Sequence, residues 1–356
     1  MSSRPSIARR PDCLPGAMNQ KRRLSPSFLI FLVSAGILAG LLISVTTGAA
    51  SISPTTVKEA FLHYDRTSVQ HYTVMSVRLP RAVIAVLIGA GLAVSGAIMQ
   101  GMTRNPLASP SIMGVSAGSG FAVVGAFIFF PALSYQAMIL VSMAGAALGT
   151  MLVFGAGTAA SYIGSASHTH VRLALAGAAV SAMLGAVSEG MQIYYGIAQD
   201  IMFWYAAGIS GVKWVHVQTM LPWAAAGLTA GMLLARSITL LGLGEDSAAG
   251  LGLRVGRVKL AGALTVFVLT GSAVAVAGPI GFIGLMIPHL TRFLIGVDYR
   301  WVIPCSALLG GFLLLAADTA ARLVNPPQET PVGILTALLG IPFFLYLARK
   351  EGKGAV

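Results

Sequence analysis

From Leu260 to Thr291 the chain runs for 32 residues without one Asp, Glu, Lys or Arg. A bilayer core about 30 Å thick is crossed by roughly 20 helical residues. The run is therefore too long for one crossing and too apolar for a soluble surface. Gly278-Pro279 interrupts it, and such a pair punctuates a helix, so the run predicts two spans joined by a tight hairpin. Other uncharged stretches bring the candidate spans to ten: Ser27–Ala49, Val83–Met102, Ile112–Phe130, Ala137–Ile163, Leu173–Tyr195, Thr219–Ala235, Leu260–Ala277, Ile280–Ile295, Val302–Ala321 and Val332–Leu347. The eighth is short and holds Pro288, His289 and Arg292.

Charged residues are only 10% of the 356, against roughly 25% in an ordinary soluble domain. A soluble protein of this size could not cover its surface with so few. The fold class predicted is an all-α integral membrane protein. The net charge of +12 is spread between the apolar runs rather than gathered on one patch, which suits membrane topology and not nucleic-acid binding. Ten spans put both termini on one side. With that side cytoplasmic, 17 Lys and Arg fall inside and 6 outside, a strong positive-inside bias. Ser27–Ala49, at 23 residues, exceeds the ~7–15-residue core of a secretory signal and is read as a retained span. Residues 1–26 are expected to form a disordered cytoplasmic tail, 27–350 one transmembrane domain, and 351–356 a cytoplasmic C-terminal tail.

Glycines four apart, Gly145 with Gly149 and Gly227 with Gly231, suit close helix contacts in lipid. No Gly-x-x-x-x-Gly-Lys-Ser/Thr phosphate loop occurs, so the chain is not expected to hydrolyse nucleotide by itself. His63 and His71 lack a convincing third metal ligand and read as two solvated side chains. Two acids lie inside spans, Glu189 in the fifth and Asp318 near the outer end of the ninth. They raise the rival reading of a proton-coupled carrier, but without an intramembrane lysine they make a thin relay. Glu189 could instead line a polar conduit or snorkel toward the outer surface.

Arg78-Leu79-Pro80-Arg81 precedes the second span, with Pro80 suited to a first helical turn. Two cations beside a positive helix end call for an anionic partner; lipid phosphate or water would serve. On the inner side, Arg104 to Pro110 forms a loop. Gly242–Arg257 carries a short helix-capable core, Glu245–Ala249, with Gly250 or Gly252 to end it. Its small and apolar Ala248, Ala249, Leu251 and Leu253 suit a groove on another protein or, equally, the membrane surface.

The stretch RLPRAVIAVLIGAGLAVSGAIMQGMTRNPLASPSIMGVSAGSG (from Arg78 to Gly120) resembles the signature of the FecCD-type permeases. LGEDSAAGLGL, GPIGFIGLMIPHLTR, ADTAARL and ETPVGILTALLGIPFFLYL are similar to that family's later blocks, in the same order. These are membrane subunits of bacterial ABC importers for ferric siderophores, haem and cobalamin. The resemblance implies the type II importer permease architecture, with a second permease subunit, identical or related, beside this one. It also implies two ATPase subunits beneath, using ATP and Mg, a substrate-binding protein outside, and no cofactor on this chain. It puts the family's docking arginines at Arg78, Arg81 and Arg322, to be met by glutamates of the binding protein in exposed pairs. It puts ATPase coupling at Gly244, Glu245, Ala248, Ala249, Leu251 and Gly252. The cytoplasmic gate falls near His168, Thr169 and His170, bulkier than the family's usual small polar residues. The pathway falls along the fifth span, which carries Glu189. A ferric siderophore is the expected substrate, with cobalamin or haem the alternatives.

Overall fold

A computed structural model describes residues 24–48, 51–163, 169–325 and 329–352. Every regular element among the described residues is helical. In chain order these are α1 (Pro26–Thr46), α2 (Pro54–Leu62) and α3 (Val69–Tyr72), then a π-helical turn (Thr73–Arg78) leading into α4 (Leu79–Thr103). There follow α5 (Val115–Phe129), α6 (Tyr135–Ile163), α7 (Thr169–Tyr194), α8 (Ala198–Ala207) and α9 (Trp214–Leu241). The chain closes with α10 (Glu245–Gly250), α11 (Val255–Ala277), α12 (Ile283–Ile295), α13 (Tyr299–Val324) and α14 (Val332–Gly352). Each of the ten apolar runs coincides with one helix (α1, α4–α7, α9 and α11–α14), and the remaining four are short connectors.

Among the described residues, six helices are long and apolar enough to cross a membrane: α1, the stretch ending in α4, α6 over Tyr135–Gly157, α9, α11 and α13. At 1.5 Å per residue, α5 and α12 reach only about 22 and 20 Å. Both are stopped by local chemistry. Ile112 to Gly114, expected to be helical, instead turn on themselves: Pro110 accepts from the Val115 amide, and Gly114 adopts φ 77°. Between α11 and α12, Gly278 at φ 68° and Pro279 end one helix, and Phe282, also at φ 68°, precedes the next. The predicted hairpin is there, with its eighth span shortened at the start. Ile280 in this non-helical segment is buried, as backbone at membrane depth must be shielded by protein.

α4 is the axis of the bundle. Its most apolar window is 83% buried, against 28% for α1, and it packs on α1, α9, α11, α12 and α13. The approach is backbone to backbone: a Cβ on Gly96 would run into the Gly284 carbonyl of α12, and one on Gly89 into that of Gly310 in α13. The predicted glycine pairs also make close contacts. Gly145 and Gly149 of α6 lie against Gly118 and Gly114, Gly227 against Leu269, and Gly231 against Val94.

Two local expectations change. α4 does not begin as a free helix end: the π-helical turn runs into it, with the Leu79 amide donating to the Val74 carbonyl. The wider turn makes room where Pro80 supplies no N–H and would crowd the preceding turn. His71 is buried rather than solvated, its Nδ1 accepting from the Asp65 amide at 3.1 Å. On the other side of α1, the Leu24 amide donates to Leu294 O, so the end of the expected tail is tied to α12.

Candidate functional site

Two charged clusters sit at opposite ends of α4. The first joins residues from four parts of the chain. Arg81, in the first turn of α4, donates from Nε to both oxygens of Asp318 on α13, at 2.9 and 3.1 Å, and from Nη2 to Oδ1 at 2.7 Å. Its Nη1 reaches both oxygens of Glu329, just before α14, at 2.7 and 2.8 Å. Asp318 is fully buried and also faces Arg322 one helical turn on, with Nη2 3.2 Å from Oδ2.

The remaining donors close the C-terminus of α1. Arg322 Nη1 donates to Ser44 O at 3.0 Å and Thr47 O at 3.3 Å, and Arg78 Nη1 to Val45 O and Thr46 O, both at 2.9 Å. The last carbonyls of a helix have no partners within it and carry its negative dipole end, so guanidinium groups satisfy both needs. Gly48 belongs to the arrangement, because a Cβ there would lie 2.8 Å from Arg78 Nη2.

This geometry corrects the expectation of exposed docking arginines. Arg78, Arg81 and Arg322 are together as predicted, but only 5–6% exposed and bonded internally. The modest worth of an exposed pair does not apply to them. The cluster's surface group is Glu329, whose side chain is 45% exposed. Asp318 and Glu329 were not assigned to this site by sequence. The i, i+4 spacing of Asp318 and Arg322 in ADTAAR was the available signal for the first. Nothing local signalled the second.

The second cluster lies at the end that the charge count expects to face the cytoplasm. Gly244 at φ 115° turns the chain into α10, and Gly252 at φ 84° takes it out, its amide donating to Ala249 O at 2.9 Å. Only glycine enters such backbone readily. Glu245, in the first turn, is bridged by Lys259 of α11 at 2.7 Å. That hydrogen bond, with the Lys259 and Arg104 charges, holds the Glu245 carboxyl below its ordinary pKa. Of the six expected coupling residues, Glu245, Ala249, Leu251 and Gly252 are exposed and Gly244 is partly so. Ala248 is the correction: it is fully buried against the bundle, where its methyl group seats α10 and no partner can touch it.

Of the expected gate, Thr169 and His170 form the start of α7; His168 lies outside the described residues. Glu189 is exposed on α7, as are Met183 and Val187 nearby and Ile193 and Tyr194 at its end. A carboxylate on an otherwise apolar helix face is expensive in lipid, so this face needs protein or water beside it.

Residues 36–350 match the profile of the FecCD transport family. The chain belongs to the FecCD transport family. Among FecCD relatives, it is 56% identical to the iron(3+)-hydroxamate import system permease protein FhuB of Bacillus subtilis (strain 168), over 88% of this chain and 81% of that one. It is 37% identical to the ferric enterobactin transport system permease protein FepD of Escherichia coli (strain K12), over 92% and 96%. A solved inward-facing metal-chelate type ABC transporter superposes with a TM-score of 0.75 at 29% identity, covering 91% of this chain and 99% of that chain.

Proposed function

We propose that this FecCD chain is the transmembrane permease subunit of an ABC importer for a ferric siderophore of the hydroxamate class. It is a multi-pass plasma-membrane protein and leaves ATP hydrolysis to separate ATPase subunits. The observation that carries the substrate class is the 56% identity to an iron(3+)-hydroxamate permease. Cobalamin remains the competing substrate, because a relative named as a cobalamin import permease is 40% identical over 78% of this chain.

The reading extends to topology and assembly. All ten apolar helices cross the membrane with both termini inside, supported by the 17 to 6 partition of basic residues. A second permease subunit covers the α7 face that carries Glu189, and the pathway runs between the two. Two ATPase subunits bear on α10 through Glu245, Ala249 and Leu251, and they, not this chain, take up ATP and Mg. Thr169 and His170 belong to the inner gate.

The substrate-binding protein docks over the outer arginine cluster by exchange. Three guanidinium groups against two carboxylates leave an excess positive charge, and Glu329 is the exposed carboxylate on Arg81. An incoming carboxylate takes the place of Glu329, while Asp318 keeps Arg81 in position from below.

The test is ATPase activity of the reconstituted complex with its binding protein. A ferric hydroxamate should stimulate it, and cobalamin or haem should not. Stimulation by cobalamin alone would move the chain to the other substrate class. Concentration of solute by this chain alone, on a proton gradient, would remove it from the ABC reading.

A further inference from the structure

At the inner end of the bundle a cavity of about 560 Å³ opens beside α10, within the roughly 300–1,000 Å³ usual for small-molecule sites. Its walls are apolar and reach into the core: Met99 and Met113 are 5% exposed and Val266 1%, with Met102, Phe154 and Phe267 around them. Unbranched thioether side chains adapt to a flexible occupant. The charged lining residues are Arg104, Lys259 and Glu245. Lys259 is held by Glu245, while Arg104 forms no salt bridge among the described residues. Arg104 also stands at φ 49° at the end of α4, a left-handed conformation that a non-glycine residue adopts only under strain. Its guanidinium stands beside the chain entering α10, where a Cβ on Gly244 would meet Nη1 at 3.6 Å.

We propose that this cavity binds an anionic phospholipid of the inner leaflet, with an acyl chain among the methionines and the phosphate between Arg104 and Lys259. Two cations against one acid select a negative headgroup, and basic pockets between transmembrane helices on the cytoplasmic side suit such lipids. The apolar depth selects an amphiphile over a free anion. A phosphate there competes with Glu245 for Lys259 and so loosens the bridge between α10 and α11. The site stands on its own geometry; its place in the inner leaflet rests on the proposed topology, and its effect on coupling on reading α10 as the ATPase contact.

The experiment uses the delipidated complex and native mass spectrometry, with phosphatidylglycerol and phosphatidylcholine of the same chains as probes and inorganic phosphate as competitor. The expected result is preferential retention of phosphatidylglycerol. Arg104→Gln, at an exposed position, should cut that preference about fivefold, the worth of one basic residue near an anionic headgroup. Ala263→Phe, which fills the cavity, should lower retention of both lipids. Equal retention of the two lipids by the unaltered chain would overturn the proposal, as would a preference that survives Arg104→Gln. Complete displacement by inorganic phosphate would reduce the site to a bare anion pocket and overturn it too. ATPase stimulation by substrate, measured alongside, tests the importer reading separately.

Discussion

Arg81 and Asp318 lie 237 positions apart in the chain and meet as a bidentate pair in the interior, with a shortest contact of 2.7 Å. The pair joins α4 to α13 and, through Arg322, both to the end of α1. An arginine near a helix end in a membrane protein would ordinarily reach outward to phosphate or water. Here the buried acid holds two of them in. Reversing Arg78, Arg81 and Arg322 to glutamate would therefore break the fold before it tested docking.

Asp318→Asn should lower the thermal stability of the purified complex strongly, because it leaves buried arginines facing a neutral amide. Removing one member of a buried pair typically costs about 3–5 kcal/mol. A thermal-unfolding midpoint within a degree or two of the unaltered protein would show that the pair contributes little.

Glu329→Gln separates docking from folding. Its carboxylate is about half exposed, so its loss should cost clearly less stability than Asp318→Asn, which removes the fully buried acid. It should tighten binding of the substrate-binding protein, most clearly at low salt where charge attraction is least screened. Weaker binding, with stability unchanged, would mean that Glu329 itself contacts the partner and that the exchange does not occur.

The Glu245–Lys259 bridge should tie α10 to α11 across the physiological range. A depressed carboxylate pKa means that the bridge's contribution is fully present above the ordinary carboxylate value. It is lost only as pH falls through the lower, folded-state value. Mild acidification should leave the ratio of transport to ATP hydrolysis unchanged, while Glu245→Gln should lower that ratio at neutral pH. The double exchange Glu245→Lys with Lys259→Glu should recover part of the loss. No change in Glu245→Gln would detach the bridge from coupling.

Gly96→Ala and Gly125→Ala should act in opposite directions. A Cβ at Gly96 collides with the Gly284 backbone, which cannot swing aside as a side chain would, whereas nothing lies within 4 Å of one at Gly125. Overpacking costs typically about 1–3 kcal/mol, and replacing a helix-interior glycine by alanine in open space gains roughly 0.5–1 kcal/mol. Thermal unfolding of the two variants checks both signs; equal effects would refute the close approach of α4 and α12.

The sequence alone determined that this is a helical membrane protein, where ten helices lie, which loops carry charge, and that one loop holds a short helix between glycines. Those properties are local: the length of an apolar run, the backbone a Gly-Pro pair permits, the acid at a helix start. It also brought Arg78, Arg81 and Arg322 to one end of the bundle, since alternating spans fix on which side each loop falls. Whether those arginines look outward, whether Ala248 faces a partner or the bundle, and whether His71 is solvated were decided only by tertiary structure. The cause is non-local. Close glycine contacts between α4, α12 and α13 bring Asp318 beside Arg81; the spacing in ADTAAR ties Asp318 to Arg322 alone and says nothing of an arginine more than two hundred residues away.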